Sequence, residues 1–409
     1  NVAKIDDYAI GFVFDFDNYK INKVKDFTVK GYRGTVAESY AKKNSFNFVA
    51  LDKTLQTPSI SKLENTSGGI KISWNKVSGA YGYRVYQKTS NGWKRIKDTT
   101  ATSYTDSAVS VNQTKTYTMR CIDKNGNTVS GYNSKGWSKK YTPVAPTISK
   151  LENTSGGIKL SWNKVAGVYG YRLYYKTSSG GWKRFKDTTA TSFTDSGVSP
   201  NRTETYTIRC IDKNGKTISG FNSKGWSKKY TPVAPTISKL ENTSGGIKLS
   251  WNKIAGVYGY RLYYKTSSGG WKRFKDTTAT SFTDSGVSPN RTETYTIRCI
   301  DKNGNTVSGY NSKGWSKKYA PVAPKISKLT NTSKGVSVTW GKVAGVYGYR
   351  LYRKYAGGSW TKVKDTTSTS FTDSGAKKGK KVTYTLRCID KNGKTISGYN
   401  ATGWSITRK

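Results

Sequence analysis

The feature that most constrains this chain is an internal repeat of about 89 residues. The phrase SGGIKLSWNKVAGVYGYRLYYKTSSGGWKRFKDTTATSFTDSG recurs with small changes, and Trp74, Trp162, Trp251 and Trp340 hold its register. Self-similarity at such a period means that one structural unit is reused, so module boundaries precede every other reading. Prolines mark them at Pro58, Pro143 and Pro146, Pro232 and Pro235, and Pro321 and Pro324. The expected organisation is a β-rich segment over 1–57 that belongs to another domain, then repeats at 58–146, 147–235, 236–324 and 325–409. Proline interrupts ladder pairing and favours extended, semi-rigid joints, so a monomeric, elongated array is expected. Repeats two and three differ at only about five positions, as after a late duplication.

Within a repeat the hydrophobic period is two. Ile70, Ile72 and Trp74 alternate with Lys71, Ser73 and Asn75, which predicts one core face and one wet face. Tyr83 and Val85 should point inward, with Arg84, Tyr86 and Lys88 outward. Tyr117, Met119 and Cys121 should likewise face the core, with Thr118, Arg120 and Ile122 outward. Lys124-Asn125-Gly126 is a hairpin signal. Seven short strands per repeat fit, and the expected class is all-β.

These positions resemble the fibronectin type III family over residues 58–409: Trp74 in the second strand, Tyr83 and Val85 in the third, Tyr117 leading the sixth, all in four copies. The resemblance implies seven-stranded immunoglobulin-like sandwiches in tandem. The variant is similar to modules of secreted or wall-attached multimodular proteins of Gram-positive bacteria, in which a longer hairpin such as DKNGNTVSGYN follows the sixth strand. That implies a secreted or cell-surface location. No Arg-Gly-Asp triplet occurs, so the family's integrin-binding function is not carried over. In residues 1–57, the stretches Ile10–Phe16 and Ser45–Leu51 read as strands of a separate β-domain. Because the chain opens at Asn1, it is expected to be a fragment or a processed form.

Composition narrows the chemistry. Histidine is absent, which excludes a Ser-His-Asp or Cys-His nucleophilic apparatus, a His-ligated metal and a His pH switch. The cysteines at 121, 210, 299 and 388 come one per repeat. No module can close an internal disulfide or gather several thiolates on a metal, so each reads as a small buried hydrophobe. Of the carboxylates Glu64, Asp98, Asp106 and Asp123 in repeat one, Asp106 and Asp123 sit in turns where Asp serves the backbone. No glycosidase pair or glycine-rich phosphate loop is evident. Asp15, Asp17 and Asn18 offer oxygen ligands but lack the loop and distal Glu of a calcium motif. No cofactor, no metal and no catalysis are expected. The Asn-x-Ser/Thr triplets at Asn65, Asn153, Asn242 and Asn331, and at Asn112, Asn201 and Asn290, read as turn chemistry. No run of about 20 apolar residues is present, so no membrane insertion is expected.

The net charge of +46 is carried mainly by the repeats, at +10, +10, +9 and +15, against +2 for residues 1–57. That exceeds the ~2 to 8 that solubility asks of a small domain. Arg84, Tyr86, Lys88 and Arg120 are expected on one exposed sheet face. Their counterparts are Arg172, Tyr174, Lys176 and Arg209; Arg261, Tyr263, Lys265 and Arg298; and Arg350, Tyr352, Lys354 and Arg387. Trp93, Lys94, Arg95, Trp137, Lys139 and Lys140 add charge and indole near the rims. Guanidinium forks pair with anions and aromatic rings stack on sugars. The competing reading is a solvated face whose cations keep strand edges from pairing. The expected function is non-catalytic adhesion, with the repeats engaging an anionic polysaccharide or a host glycoprotein such as mucin or immunoglobulin multivalently. The alternative is a passive spacer or stalk of a larger surface protein or secreted glycan-degrading enzyme. Nucleic acid would be held only non-specifically.

Overall fold

The computed structural model describes residues 4–32, 34–51 and 54–409. Alternating side chains produce strands throughout the repeats, and the class is all-β. Repeat one contains seven: β5 (Ile60–Thr66), β6 (Gly69–Trp74), β7 (Gly82–Thr89), β8 (Gly92–Thr99), β9 (Ser103–Asp106), β10 (Thr114–Ile122) and β11 (Trp137–Lys140). The numbering follows β1 (Phe12–Asp15), β2 (Lys20–Lys23), β3 (Thr28–Gly31) and β4 (Asn47–Ala50) of the N-terminal segment. The seven strands form a three-stranded sheet, β5-β6-β9, and a four-stranded sheet, β11-β10-β7-β8, all antiparallel. Inward residues of both sheets make one core, with Ile70, Ile72, Val85, Tyr117, Met119 and Cys121 fully buried.

The chain divides into two compact units, Asn1–Ser149 with Trp162–Thr191 and Tyr206–Gly225, and Lys150–Ser161 with Ser192–Thr205 and Trp226–Lys409. The first holds the N-terminal segment, repeat one, and strands Gly170–Lys176 and Trp182–Thr188 of repeat two, paired as in repeat one. The second holds repeats three and four, each with the same three- and four-stranded sheet orders and its own core around Trp251 and Trp340.

The N-terminal segment is β-rich and also holds a helix: α1 (Val36–Lys43) connects β3 to β4, which pair in parallel. Thr35-Val-Ala-Glu38 is a helix-start signature, and the Glu38 carboxylate accepts the Gly34 N–H at 2.6 Å. On the outward phase of β10, Thr118 and Ile122 are nevertheless buried, at 1% and 6% exposure. The hairpin after β10 folds back over that strand: the Val129 N–H donates to the Cys121 carbonyl, and the Ser130 hydroxyl accepts the Cys121 N–H.

Local chemistry explains the remaining signals. Asp123 accepts the N–H groups of Asn125 and Asn127, and Gly126 adopts φ +80°, closing the Asn-Gly turn. Asn112, Asn201 and Asn290 adopt left-handed φ of 64–66°, where Asn is among the few tolerated side chains. Each cysteine is buried and free, and its Sγ lies 3.6–3.9 Å from a carbonyl of the preceding linker, at Gln56, Val144, Val233 and Val322.

Successive repeats touch through a recurring joint. After the last strand of a repeat, a fully buried tyrosine donates its hydroxyl to an alanine carbonyl of the next: Tyr141 to Ala166 at 2.8 Å, Tyr230 to Ala255 and Tyr319 to Ala344 at 2.9 Å. The same alanines donate N–H to Ser67, Ser155 and Ser244 at 2.8 Å. Arg408 stands at the tyrosine's position in repeat four and instead donates to Ser374 and Ala376 of its own repeat.

Candidate functional site

The predicted basic and aromatic face resolves into two arrangements. Arg84 is a correction. It lies directly across from Asp98 on β8, and its guanidinium forks onto that carboxylate at 2.9 and 2.8 Å while also donating to the Gly126 carbonyl. Its side chain is only 18% exposed. Arg172 with Asp187, Arg261 with Asp276 and Arg350 with Asp365 repeat the pair. The reason is register. Arg84 also sits opposite Arg120 on β10, and like charges directly across a ladder repel, so the carboxylate on the far side neutralises one of them. These guanidiniums are ion-paired within the sheet and mostly covered. The pairing holds the Asp98, Asp187 and Asp276 carboxyls below their ordinary value, and that of Asp365 at about 2.

Arg120 behaves differently. Tyr86, Trp93, Thr118, Arg120 and Tyr132 line a cleft of about 160 Å³ on the outer face of the four-stranded sheet. The Arg120 guanidinium rests over the Tyr132 ring at 4.6 Å, and Trp93 meets Tyr132 edge-on at 6.4 Å and 80°. Gly136 (φ +70°) permits this, since a Cβ there would fall 2.6 Å from the Trp93 ring. Thr118 forms the floor, its hydroxyl donating to the Asn133 carbonyl.

The cleft recurs in every repeat: about 70 Å³ at Tyr174, Trp182, Thr207, Arg209 and Phe221; about 120 Å³ at Tyr263, Trp271, Thr296, Arg298 and Tyr310; and about 160 Å³ at Tyr352, Trp360, Thr385, Arg387 and Tyr399. Arg209, Arg298 and Arg387 stack on Phe221, Tyr310 and Tyr399 at 5.2–5.4 Å and donate Nε–H to the carbonyls of Ser219, Ser308 and Ser397. None of the four cleft arginines is ion-paired to a carboxylate among the described residues.

The other predicted residues scatter. Lys88, Lys176 and Lys265 are exposed and Lys354 half-buried; Lys354 sits 4.6 Å over Trp360 and Lys265 6.0 Å over Trp271, so this lysine flanks the cleft. Lys94 and Lys140 are exposed and Lys139 half-buried, while Arg95 is tied to Asp98 at 2.6 Å. Trp137 is half-buried and packs against the core of repeat one. The sequence reading missed Thr118 and the aromatic at Tyr132, Phe221, Tyr310 and Tyr399. The signal was the aromatic inside each SGYN or SGFN hairpin, which lies far from the β7 residues in sequence.

Asp106 is also more than a turn residue. Buried at 4% exposure, it accepts the Tyr117 hydroxyl at 2.7 Å and the Lys115 ammonium at 3.0 Å. In repeat four Arg353 supplies the cation to Asp373 at 2.7 Å. In repeat three Glu293 occupies the Lys115 position beside Asp284, and burial pushes its carboxyl upward.

The sheet orders β5-β6-β9 and β11-β10-β7-β8 are those of an immunoglobulin-like sandwich of the fibronectin type III kind. The four repeats have the fibronectin type III fold. No protein-family model matches the chain. It is 28% identical over 296 residues to exoglucanase B of Cellulomonas fimi, covering 65% of this chain and 26% of that protein. It is 28% identical over 224 residues to chitinase A1 of Niallia circulans, covering 51% and 30%. It is 25% identical over 335 residues to fibronectin type III domain-containing protein 7 of Mus musculus, covering 76% and 41%. The chain thus spans 26 to 41% of the length of these relatives. No helix among the described residues is long and apolar enough to cross a membrane.

Proposed function

We propose that these fibronectin type III modules form a non-catalytic, extracellular binding array that engages an anionic glycan or glycoprotein at several modules together. The observation that carries this reading is the fourfold recurrence of one aromatic cleft with an arginine that has no carboxylate partner, on modules with a net charge of +9 to +15. A cationic surface attracts a polyanion over a Debye length of ~8 Å at physiological salt, and several weak sites on one chain raise overall binding by ~10²–10⁴. The relatives named exoglucanase and chitinase support a setting in which such modules accompany glycan chemistry. The test is retention on an anionic and a neutral glycan at about 50 and about 300 mM salt. Retention on the anionic polymer that weakens with salt is expected; indifference to both variables removes the mechanism.

The joint favours a second reading, a spacer within a larger secreted or surface protein. Its tyrosine, alanine and serine contacts dock one module on the next instead of leaving a loose tether. Gly256 (φ +70°) has no room for a Cβ, which would fall 2.2 Å from the Val198 carbonyl oxygen. Gly256→Ala is therefore expected to open that joint and raise protease sensitivity in the segment between Tyr230 and Ala255, and unchanged sensitivity would refute a docked joint.

A further inference from the structure

We propose that the clefts of repeats one, three and four are each a subsite for a single pyranose ring bearing a carboxylate, and that the cleft of repeat two is a weaker version. This rests on the binding-array reading and names the ligand of its site.

Size limits the occupant first. Clefts of about 160, 120 and 160 Å³ match one six-membered ring, as a cavity of about 150 Å³ accepts benzene. The 70 Å³ cleft of repeat two is too small for the same ring to seat fully. Shape is the second limit. Trp271 and Tyr310 meet at 80°, so the cleft offers one stacking face and one wall rather than two parallel plates. Chemistry is the third. Arg298 spends Nε and one Nη hydrogen on the Ser308 carbonyl, which leaves part of its donor fork unused, and stacking on Tyr310 fixes the guanidinium plane. A planar fork matches a carboxylate bidentately. An acid carried in the plane of a sugar ring reaches the fork while the ring lies on the indole, whereas a nucleotide carries its phosphate away from its flat base. Thr296 donates its hydroxyl to Asn311 and keeps lone pairs to accept a sugar hydroxyl. Lys354 over Trp360 adds a cation at the mouth.

Repeats two and three supply an internal control. They are nearly identical in sequence, yet Phe221 replaces the tyrosine seen at 132, 310 and 399. The lost phenolic hydroxyl removes a hydrogen-bonding group from the rim.

The experiment is calorimetric titration of the full chain with trigalacturonate, a neutral galactotriose and adenosine monophosphate. The expected result is about three trigalacturonate sites per chain and binding of the neutral sugar at least about tenfold weaker. Phe221→Tyr restores the rim hydroxyl but not the room, and should tighten the weak site of repeat two without making it equal to the other three. The combined variant Tyr132→Phe, Tyr310→Phe and Tyr399→Phe copies a residue that repeat two already carries, and should lower affinity about tenfold. Arg120→Lys, Arg298→Lys and Arg387→Lys together keep the charge but lose the fork, and should do the same. If these variants leave trigalacturonate affinity unchanged while salt-sensitive retention on the polymer persists, the subsite is overturned and the array stands. Tighter binding of adenosine monophosphate overturns the sugar assignment, and absence of polymer retention in the wild type overturns the array itself.

Discussion

Asp365→Asn tests whether the arginine facing Arg387 is held for structure. Arg350 grips Asp365 with Nε to one oxygen at 2.7 Å and Nη2 to the other at 2.8 Å, with side chains 21% and 30% exposed. Asn keeps one acceptor, so one charge-assisted bond is lost, about 1.5–3 kcal/mol. The Lys362 contact is half exposed and adds little. The loss also leaves Arg350 and Arg387 opposed across the ladder without their counter-charge. A destabilisation of about 2 kcal/mol should lower the Tm of repeat four by about 10 °C. Scanning calorimetry of the full chain would show one component moving down and the others staying. Acid supplies a second check. The pairing holds the folded Asp365 carboxyl at about 2, below its ordinary 3.8, so its contribution is complete above the ordinary value and disappears as pH falls through about 2. The gap between wild type and variant should therefore close over that range. A shift under about 2 °C at neutral pH, or a gap that survives at the acid end, would refute the argument.

Repeat three carries the opposite sign. Burial pushes the Glu293 carboxyl up, Arg291 at 3.0 Å opposes this, and Asp284 adds to it. A raised folded value means that the ionised form is penalised at neutral pH and relieved as pH falls through that value. Glu293→Gln should raise the Tm of repeat three by a few degrees at neutral pH and flatten its response to mild acid, and a lowered Tm would count against it. Burial also raises the thiols of Cys210, Cys299 and Cys388 to about 11. A disulfide reagent at mildly alkaline pH should leave the native chain unlabelled and titrate the cysteines only in denaturant, so rapid native labelling would contradict their burial.

The strand pattern was legible because side-chain alternation is local: Ile70, Ile72 and Trp74 face the core as their spacing requires. Half of the cleft was legible for the same reason, since Tyr86 and Arg120 fall on the outward phase of their strands. Tyr132 was not, because it reaches Arg120 only after a hairpin turns back on the sheet. Helix α1 is signalled by Thr35 and Glu38, and lies between the two alternating stretches that read as strands.

The sequence by itself determined the repeat, the period-two pattern, the burial of one cysteine per module and the surplus of positive charge, because each depends on residue identity and short spacing. Tertiary structure decided which cations are free. Arg84 and Arg120 have the same type and strand phase, yet cross-strand register gives the first to Asp98, while the folded-back hairpin places the second on the ring of Tyr132. Pairing between strands distant in sequence, which no local pattern encodes, separates a structural guanidinium from one able to meet a ligand.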